Sequence, residues 1–121
     1  MIATLGISSA TIIWADALSV DFAGIDYDCV LTSPPYVNVE LYPHMSPFKS
    51  DAAFYTSFLM PLINKCRSSI RRNGKVCFNI SPKMYAALMN HGYRPCDIAI
   101  PMLQQKIQGK EKGDCVYCWS S

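Results

Sequence analysis

The sequence has few charged residues and no long apolar run. Charged side chains make up 17% of the 121 residues, and the formal net charge is only +2. Proteins that hold nucleic acid by bulk charge are usually far more basic, so the composition alone does not indicate such a binder. Apolar runs such as 98–103 are much shorter than the roughly 20 residues that cross a bilayer. Because the N-terminus also lacks a charged region before its apolar residues, the sequence predicts a cytoplasmic protein without a membrane partner.

Metal-binding patterns are also missing. Six cysteines are present, but Cys115 and Cys118 form the only C-x-x-C pair, and no second pair or paired histidine motif completes a ligand set. Residues three apart on a strand point to opposite faces, which suits a zinc site poorly. The sequence therefore predicts no metal site, and it predicts that the cysteines are reduced and buried.

What the chain does have is apolar content and periodicity. Half of the residues are hydrophobic, and the length corresponds to one small domain, residues 1–121. The pattern predicts the order β, β, α, β, α, β, β, which is an α/β fold with a mostly parallel sheet that closes in an antiparallel hairpin. The predicted strands are Thr11–Ala15, Tyr27–Leu31, Lys75–Ile80, Ile98–Ile100 and Asp114–Trp119.

Two predicted helices connect the strands. The first begins at Ser50 or Asp51, and its apolar residues recur at helical spacing up to Ile70. Pro61 should kink this helix or split it in two. The second helix begins after Ser81 and stops at His91-Gly92. The segment 37–49 shows neither helical nor strand periodicity and is long enough to suspect a functional loop.

The strand that ends at Leu31 is followed by Thr-Ser-Pro-Pro-Tyr, residues 32–36. Ligands of open α/β sheets bind outside the carboxyl ends of the strands, where this segment is expected to lie. Ser33 and the carbonyl of Pro34 offer two acceptors, the prolines stiffen the turn, and Tyr36 offers a flat face for stacking. Such an arrangement suits a planar base that carries an exocyclic amino group.

Ser33-Pro34-Pro35-Tyr36 resembles the S-P-P-Y form of the [D/N/S]-P-P-[Y/F/W] motif of S-adenosylmethionine-dependent amino-methyltransferases. The resemblance implies a Rossmann-like class I methyltransferase sheet, S-adenosylmethionine as cofactor and DNA as partner. The serine form is most similar to cytosine-N4 enzymes, and adenine-N6 is the other target. By resemblance, Ser33 and Pro34 hold the amine and Tyr36 stacks on the flipped base.

The flanking segments extend the resemblance and also limit it. Ala15-Asp16-Ala17 resembles the acidic position near the cofactor's adenine, so Asp16 and Ala17 are the expected cofactor contacts. The helix and strand that follow the motif resemble the family's next segment, with Asn79 and Ser81 at the carboxyl end of that strand. The family's glycine-rich turn is absent from the sequence, so the cofactor-binding half is expected to be missing here.

Three hypotheses follow from this departure. The chain is a DNA methyltransferase domain or fragment, or it is a non-catalytic remnant or subunit that needs a partner chain or a second copy to complete it. In the third hypothesis, the same chemistry acts on RNA or on a protein glutamine. The cationic side chains near the end of the first helix either contact phosphates or serve as ordinary helix-end charges. These are Arg67, Arg71, Arg72 and Lys75.

Overall fold

A computed structural model describes residues 9–36, 50–102, 106–107, 110–111 and 115–121. The strands are β1 (Cys29–Thr32), β2 (Lys75–Ile80), β3 (Ile98–Pro101), β4 (Lys106–Ile107), β5 (Lys110–Glu111) and β6 (Cys115–Ser120). Four of them form a sheet in the order β1-β2-β6-β3, and the two short strands, β4 and β5, pair separately. The helical segments are a 3₁₀ turn (Phe22–Gly24), α1 (Asp51–Phe54), a π-helical turn (Tyr55–Leu59), α2 (Met60–Ser68) and α3 (Pro82–Asn90).

The four-stranded sheet is mixed, so the prediction of a mostly parallel sheet is wrong. β1 and β2 pair in parallel, whereas β6 is antiparallel to both of its neighbours, β2 and β3. The predicted closing antiparallel hairpin of β3 and β6 is confirmed. The sheet becomes mixed because β6 returns between β2 and β3 instead of extending the edge, so both of its contacts are antiparallel.

The predicted strand at 11–15 is absent. The segment has no regular secondary structure, and Ile12 and Trp14 are 88% and 97% exposed. Threonine, isoleucine and tryptophan favour strands because they pack well on a pleated and half-buried surface. No described strand pairs with this segment, so its side chains have no described sheet surface to pack against.

The first predicted helix is confirmed, with an interruption at the expected place. The Ser50 hydroxyl accepts a hydrogen bond from the Ala53 amide at 3.1 Å and caps α1. The predicted apolar face is buried along the helical segments, and Phe58 is partly buried beside it. Pro61 occupies the first turn of α2, directly after the π-helical turn.

The second predicted helix is also confirmed. The Ser81 hydroxyl accepts a hydrogen bond from the Met84 amide at 3.1 Å, and Pro82 occupies the first turn of α3. Gly92 follows the helix with φ of 82°, and the Tyr93 amide donates to the Leu88 carbonyl at 3.0 Å. The left-handed Gly92 ends the helix, and the Tyr93 amide satisfies one of the last helix carbonyls.

The core lies between the helices and one face of the sheet. Alternate residues of β2, namely Val76, Phe78 and Ile80, are fully buried in the same cluster as the apolar faces of α2 and α3. Trp119 of β6 is also fully buried, and its indole N–H donates to the Arg94 carbonyl at 2.8 Å. The other β2 residues, Lys75, Cys77 and Asn79, are only half-buried and point to the opposite face.

Within the described ranges, no three histidine, cysteine or acidic side chains are grouped so as to hold a metal ion. Cys115 lies opposite Ile80 in the sheet register and Cys118 lies opposite Cys77, so the two C-x-x-C thiols point to different faces. Of the six cysteines, only Cys66 and Cys118 are buried, and Cys29 is exposed. The expectation that all of them are buried is therefore wrong.

None of the described helices has the length and apolar character needed to span a membrane.

Candidate base-binding site

The Ser-Pro-Pro-Tyr segment leaves the sheet directly after β1, as the sequence predicted. β1 ends at Thr32, Pro34 and Pro35 are buried, and Tyr36 is half-buried against the core. Ser33 alone of the four is exposed. The buried prolines anchor the turn from below, while the serine hydroxyl is presented at the surface.

Ser33 lies beside Asn79 at the carboxyl edge of the sheet. The parallel register places Thr32 opposite Phe78, so the next residues on each strand, Ser33 and Asn79, are neighbours. The Asn79 Nδ2 atom is 3.5 Å from the Ser33 Oγ atom, at the long end of hydrogen-bonding distance. Both side chains are therefore held at the edge where open α/β sheets bind their ligands.

The other end of the Asn79 amide is buried. Within the described part of the chain, Asn79 Oδ1 is inaccessible to solvent and has no hydrogen-bond partner. An unpaired buried acceptor of this kind costs about 1–3 kcal/mol of stability. Sequence reasoning placed Asn79 at the end of its strand but gave it no role. The available signal was a polar residue near the end of an otherwise apolar strand.

Asp16 does not follow a strand, so the predicted setting of this residue is wrong. Its side chain is exposed, and Oδ1 accepts a hydrogen bond from the Leu18 amide at 3.0 Å. Its backbone carbonyl accepts from the Ser19 amide at 2.9 Å. Asp16 is therefore the capping residue of a tight turn, and the hydrogen bonds of its carboxylate are explained locally.

Ala17, the other predicted cofactor contact, lies at an open pocket of about 390 Å³. Its carbonyl accepts a hydrogen bond from Lys65 Nζ at 2.8 Å, which ties the turn to α2. The pocket reaches along β1 as far as Thr32, the residue before the Ser-Pro-Pro-Tyr segment. The structure therefore places Ala17 at a pocket whose described lining ends one residue before the motif, while Asp16 is outside that lining.

The pocket is mainly apolar, and its buried cysteine, Cys66, is poorly reactive. Its lining contains Phe22, Ile25, Leu31 and Cys66, and none of the described lining residues carries a charged side chain. Burial raises the pKa of the Cys66 thiol to about 11, so the reactive thiolate is scarce at neutral pH. The Tyr27 hydroxyl donates to the Cys66 carbonyl at 2.7 Å, which satisfies that polar group.

These residues do not fit S-adenosylmethionine as a whole. An apolar pocket suits a ring, but the methionine part carries a carboxylate and an ammonium group that need polar or charged partners. Among the residues that the structure describes, the pocket lining offers no charged partner, and the sequence contains no glycine-rich turn. The described residues of this pocket therefore fit a planar ring but not the methionine part of S-adenosylmethionine.

The cationic residues of the α2 end are mostly engaged within the chain. Arg67 Nε donates to the Ser120 carbonyl at 2.9 Å, and Lys75 Nζ donates to the Ser120 hydroxyl at 2.8 Å. Arg71 forms a two-point ion pair with Asp26, which lowers the pKa of that carboxyl group. Three of the four cations therefore tie neighbouring segments together. The suspected functional loop, 37–49, lies outside the described residues.

Comparisons of the chain with protein-family models, with curated proteins and with solved structures find no match. The interpretation of the site therefore depends on its own geometry. That geometry combines an exposed serine, two buried prolines, an anchored tyrosine and an adjacent amide at one edge of the sheet.

Proposed function

We propose that this chain is the base-binding part of a DNA amino-methyltransferase whose target is the exocyclic amine of cytosine or adenine. The observation that carries the proposal is the position of Ser33-Pro34-Pro35-Tyr36 directly after β1, at the carboxyl edge of parallel strands. The closing antiparallel strand β6 supports the class I methyltransferase sheet that the motif implies. DNA as partner and S-adenosylmethionine as methyl donor belong to the same proposal.

Each residue of the motif has a physical role in this proposal. The Ser33 hydroxyl and the Pro34 carbonyl accept the two amino hydrogens, and this keeps both hydrogens in the plane of the base. The nitrogen lone pair is then directed out of the plane, where an electrophile can approach. The ring of Tyr36 supports the base by stacking, and burial of Pro34 and Pro35 keeps the receptor rigid.

The methyl donor requires residues other than those described here. The pocket beside Ala17 is apolar, and the chain has no glycine-rich turn. In the proposed assembly, a partner chain or a second copy of this chain supplies the receptor for the methionine part. The chain described here contributes the orientation of the acceptor amine.

The stacking role is tested by substitution of Tyr36. The Tyr36→Ala variant should bind a short thymidine oligodeoxynucleotide with one central cytosine roughly tenfold more weakly than the wild type, because base–aromatic stacking is lost. Tyr36→Phe keeps the ring and should bind like the wild type. Affinity is measured by fluorescence anisotropy, and circular dichroism checks that the half-buried residue has not been needed for folding.

An all-thymidine strand serves as the background in this measurement, since thymine has no exocyclic amine. Equal affinity of the wild type for the two strands would contradict the proposal, as would unchanged binding by a folded Tyr36→Ala variant. The same sequence made as RNA tests the alternative substrate. Tighter binding to the RNA would move the proposed target from DNA to RNA.

A non-catalytic subunit is the second candidate, favoured by the absence of a glycine-rich turn from the sequence and by the lack of charge among the described pocket residues. Calorimetric titration of the isolated chain with S-adenosylmethionine tests the need for a second polypeptide, which both candidates share. Tight binding by the isolated chain would exclude this need. Heat of binding that appears only after a second polypeptide is added would support it.

A further inference from the structure

The side-chain amide of Asn79 has a donor end and an acceptor end, and the proposed function assigns no role to either. Its donor end, Nδ2, is 3.5 Å from Ser33 Oγ, whereas its acceptor end, Oδ1, is turned into the protein. The proposed site therefore presents an acceptor and a donor side by side. The acceptor is the serine oxygen, and the donor is the amide nitrogen on the adjacent strand.

The polar side chain of Asn79 contributes little to the stability of the fold. Within the described part of the chain, its buried oxygen is unpaired, and that carries a stability cost. An apolar side chain of similar size would avoid this cost. Its neighbour in the sheet register, Val116 on β6, offers no polar side chain to bond with. The contact with Ser33 is the polar interaction that remains on the described chain, and it points to the site.

The two amine-bearing targets share a matching edge. In cytosine and in adenine, the carbon that bears the amino group is bonded to a ring nitrogen with a free lone pair. That edge presents a donor beside an acceptor, which is the complement of Ser33 Oγ beside Asn79 Nδ2. On the Watson–Crick edge of guanine, the ring nitrogen beside the amino group, N1, carries a hydrogen, so two donors would face each other at Asn79.

We infer that Asn79 Nδ2 donates a hydrogen bond to the ring nitrogen adjacent to the target amine, and that Asn79 determines specificity against guanine. This inference rests on the proposed function. Flipped bases are read by hydrogen bonds to this edge, and a site built to make such a bond rejects analogues that leave its donor unpaired. Both residues lie at adjacent strand ends, so the spacing of the pair is fixed by the sheet register.

The test removes the ring nitrogen from the base instead of only altering the protein. A thymidine oligodeoxynucleotide carries one central cytosine, 3-deazacytosine or guanine, and anisotropy gives the affinity for each. The wild type should bind the 3-deazacytosine and guanine strands roughly tenfold more weakly than the cytosine strand, because the Asn79 donor is left without an acceptor.

The variant Asn79→Leu should bind the cytosine and 3-deazacytosine strands equally, both at the weaker level of the wild type on 3-deazacytosine. Asn90→Leu is the matched control, since Asn90 is an exposed residue at the end of α3, and it should behave like the wild type. A purely structural role of Asn79 would weaken binding to all strands alike and would leave the preference for the ring nitrogen intact.

Two negative results have different meanings. If the wild type prefers cytosine to thymine but binds 3-deazacytosine equally well, the inference about Asn79 is wrong and the proposed function stands. If the wild type shows no preference for cytosine over thymine, the proposed function fails and the inference fails with it. Since the 3-deazacytosine comparison is made on the wild type, the inference remains testable even if Asn79→Leu does not fold.

Discussion

At residue 74, the chain passes so close to its neighbours that only glycine fits. A Cβ atom built there would lie 2.6 Å from Ile70 Cγ1 and 2.7 Å from the backbone carbonyl oxygen of Asp28. The preceding residue, Asn73, has φ of 67°, a left-handed conformation that asparagine tolerates better than most residues. The Asn-Gly pair therefore makes the tight turn from α2 into β2, which sets the position of Asn79 at the other end of that strand.

The variant Gly74→Ala should lower the free energy of unfolding by about 1–3 kcal/mol, because a backbone oxygen cannot move aside as a flexible side chain can. Urea unfolding followed by circular dichroism measures the change. Gly24→Ala is the control, since nothing lies within 4 Å of a Cβ atom at that position. The control should stay within about 0.5 kcal/mol of the wild type. Equal losses for the two variants would disprove the crowding at residue 74.

At the scale of elements, the interrupted first helix shows what a single proline in the sequence does and does not predict. Proline has no N–H, and its ring clashes with the carbonyl four residues earlier, so Pro61 was predicted to disturb the helix. The structure accommodates it with a π-helical turn, Tyr55–Leu59, directly before α2. The Thr56 hydroxyl also donates to the Ala52 carbonyl at 2.9 Å. The interruption was predictable from one residue, but its π-helical form depends on how the surrounding apolar residues pack.

The two tryptophans show that burial of a side chain depends on whether its segment has neighbours in the sheet. Trp119 lies on β6, which has a strand on each side, and is fully buried. Trp14 lies in the segment that was predicted to be a strand, and it is 97% exposed. Both residues favour strands to the same degree, so the difference comes from their tertiary neighbours.

Trp119→Ala should therefore lower the free energy of unfolding by about 3–5 kcal/mol, through the cavity it leaves and the lost bond to the Arg94 carbonyl. Trp14→Ala should change it by less than about 0.5 kcal/mol. Chemical unfolding of both variants, followed by circular dichroism, makes the comparison. A large loss from Trp14→Ala would show that its segment packs in solution, contrary to the structure described here.

At the scale of the whole molecule, burial of phenols and thiols predicts sensitivity to alkali. Burial, with smaller contributions from Cys115, Cys96 and Tyr85, raises the pKa of Tyr117 to about 12. Burial also raises the pKa of Cys66 to about 11, and burial together with Cys118 raises that of Cys77 to about 11. Below about pH 7.5, these groups are protonated in both states, and their contribution to stability is fully present.

As the pH rises from about 7.5 to 12, the unfolded state should release these protons before the folded state does, and the free energy of unfolding should fall. Urea unfolding at a series of pH values, with a reductant to keep the thiols free, measures the decline. Tyr117→Phe should make the decline less steep above pH 10. A free energy of unfolding that stays constant across this interval would contradict the assigned burial of these groups.

The sequence by itself determined the features that depend on neighbouring residues. Caps at Ser50 and Ser81, the stop at Gly92 and the end of β1 before two prolines follow from side-chain chemistry and backbone geometry within a few positions. The motif Ser33–Tyr36 was readable for the same reason, because its stiffness and its functional groups lie within one short segment.

Only the tertiary structure decided which segments found a partner. It left 11–15 without a described strand to pair with, inserted β6 between β2 and β3, and placed Asp16 in a turn. It also brought Asn79 to Ser33 across 46 positions of the chain. Strand pairing and burial depend on contacts between residues that are distant in sequence. A local sequence pattern does not specify which distant segment will pack against it.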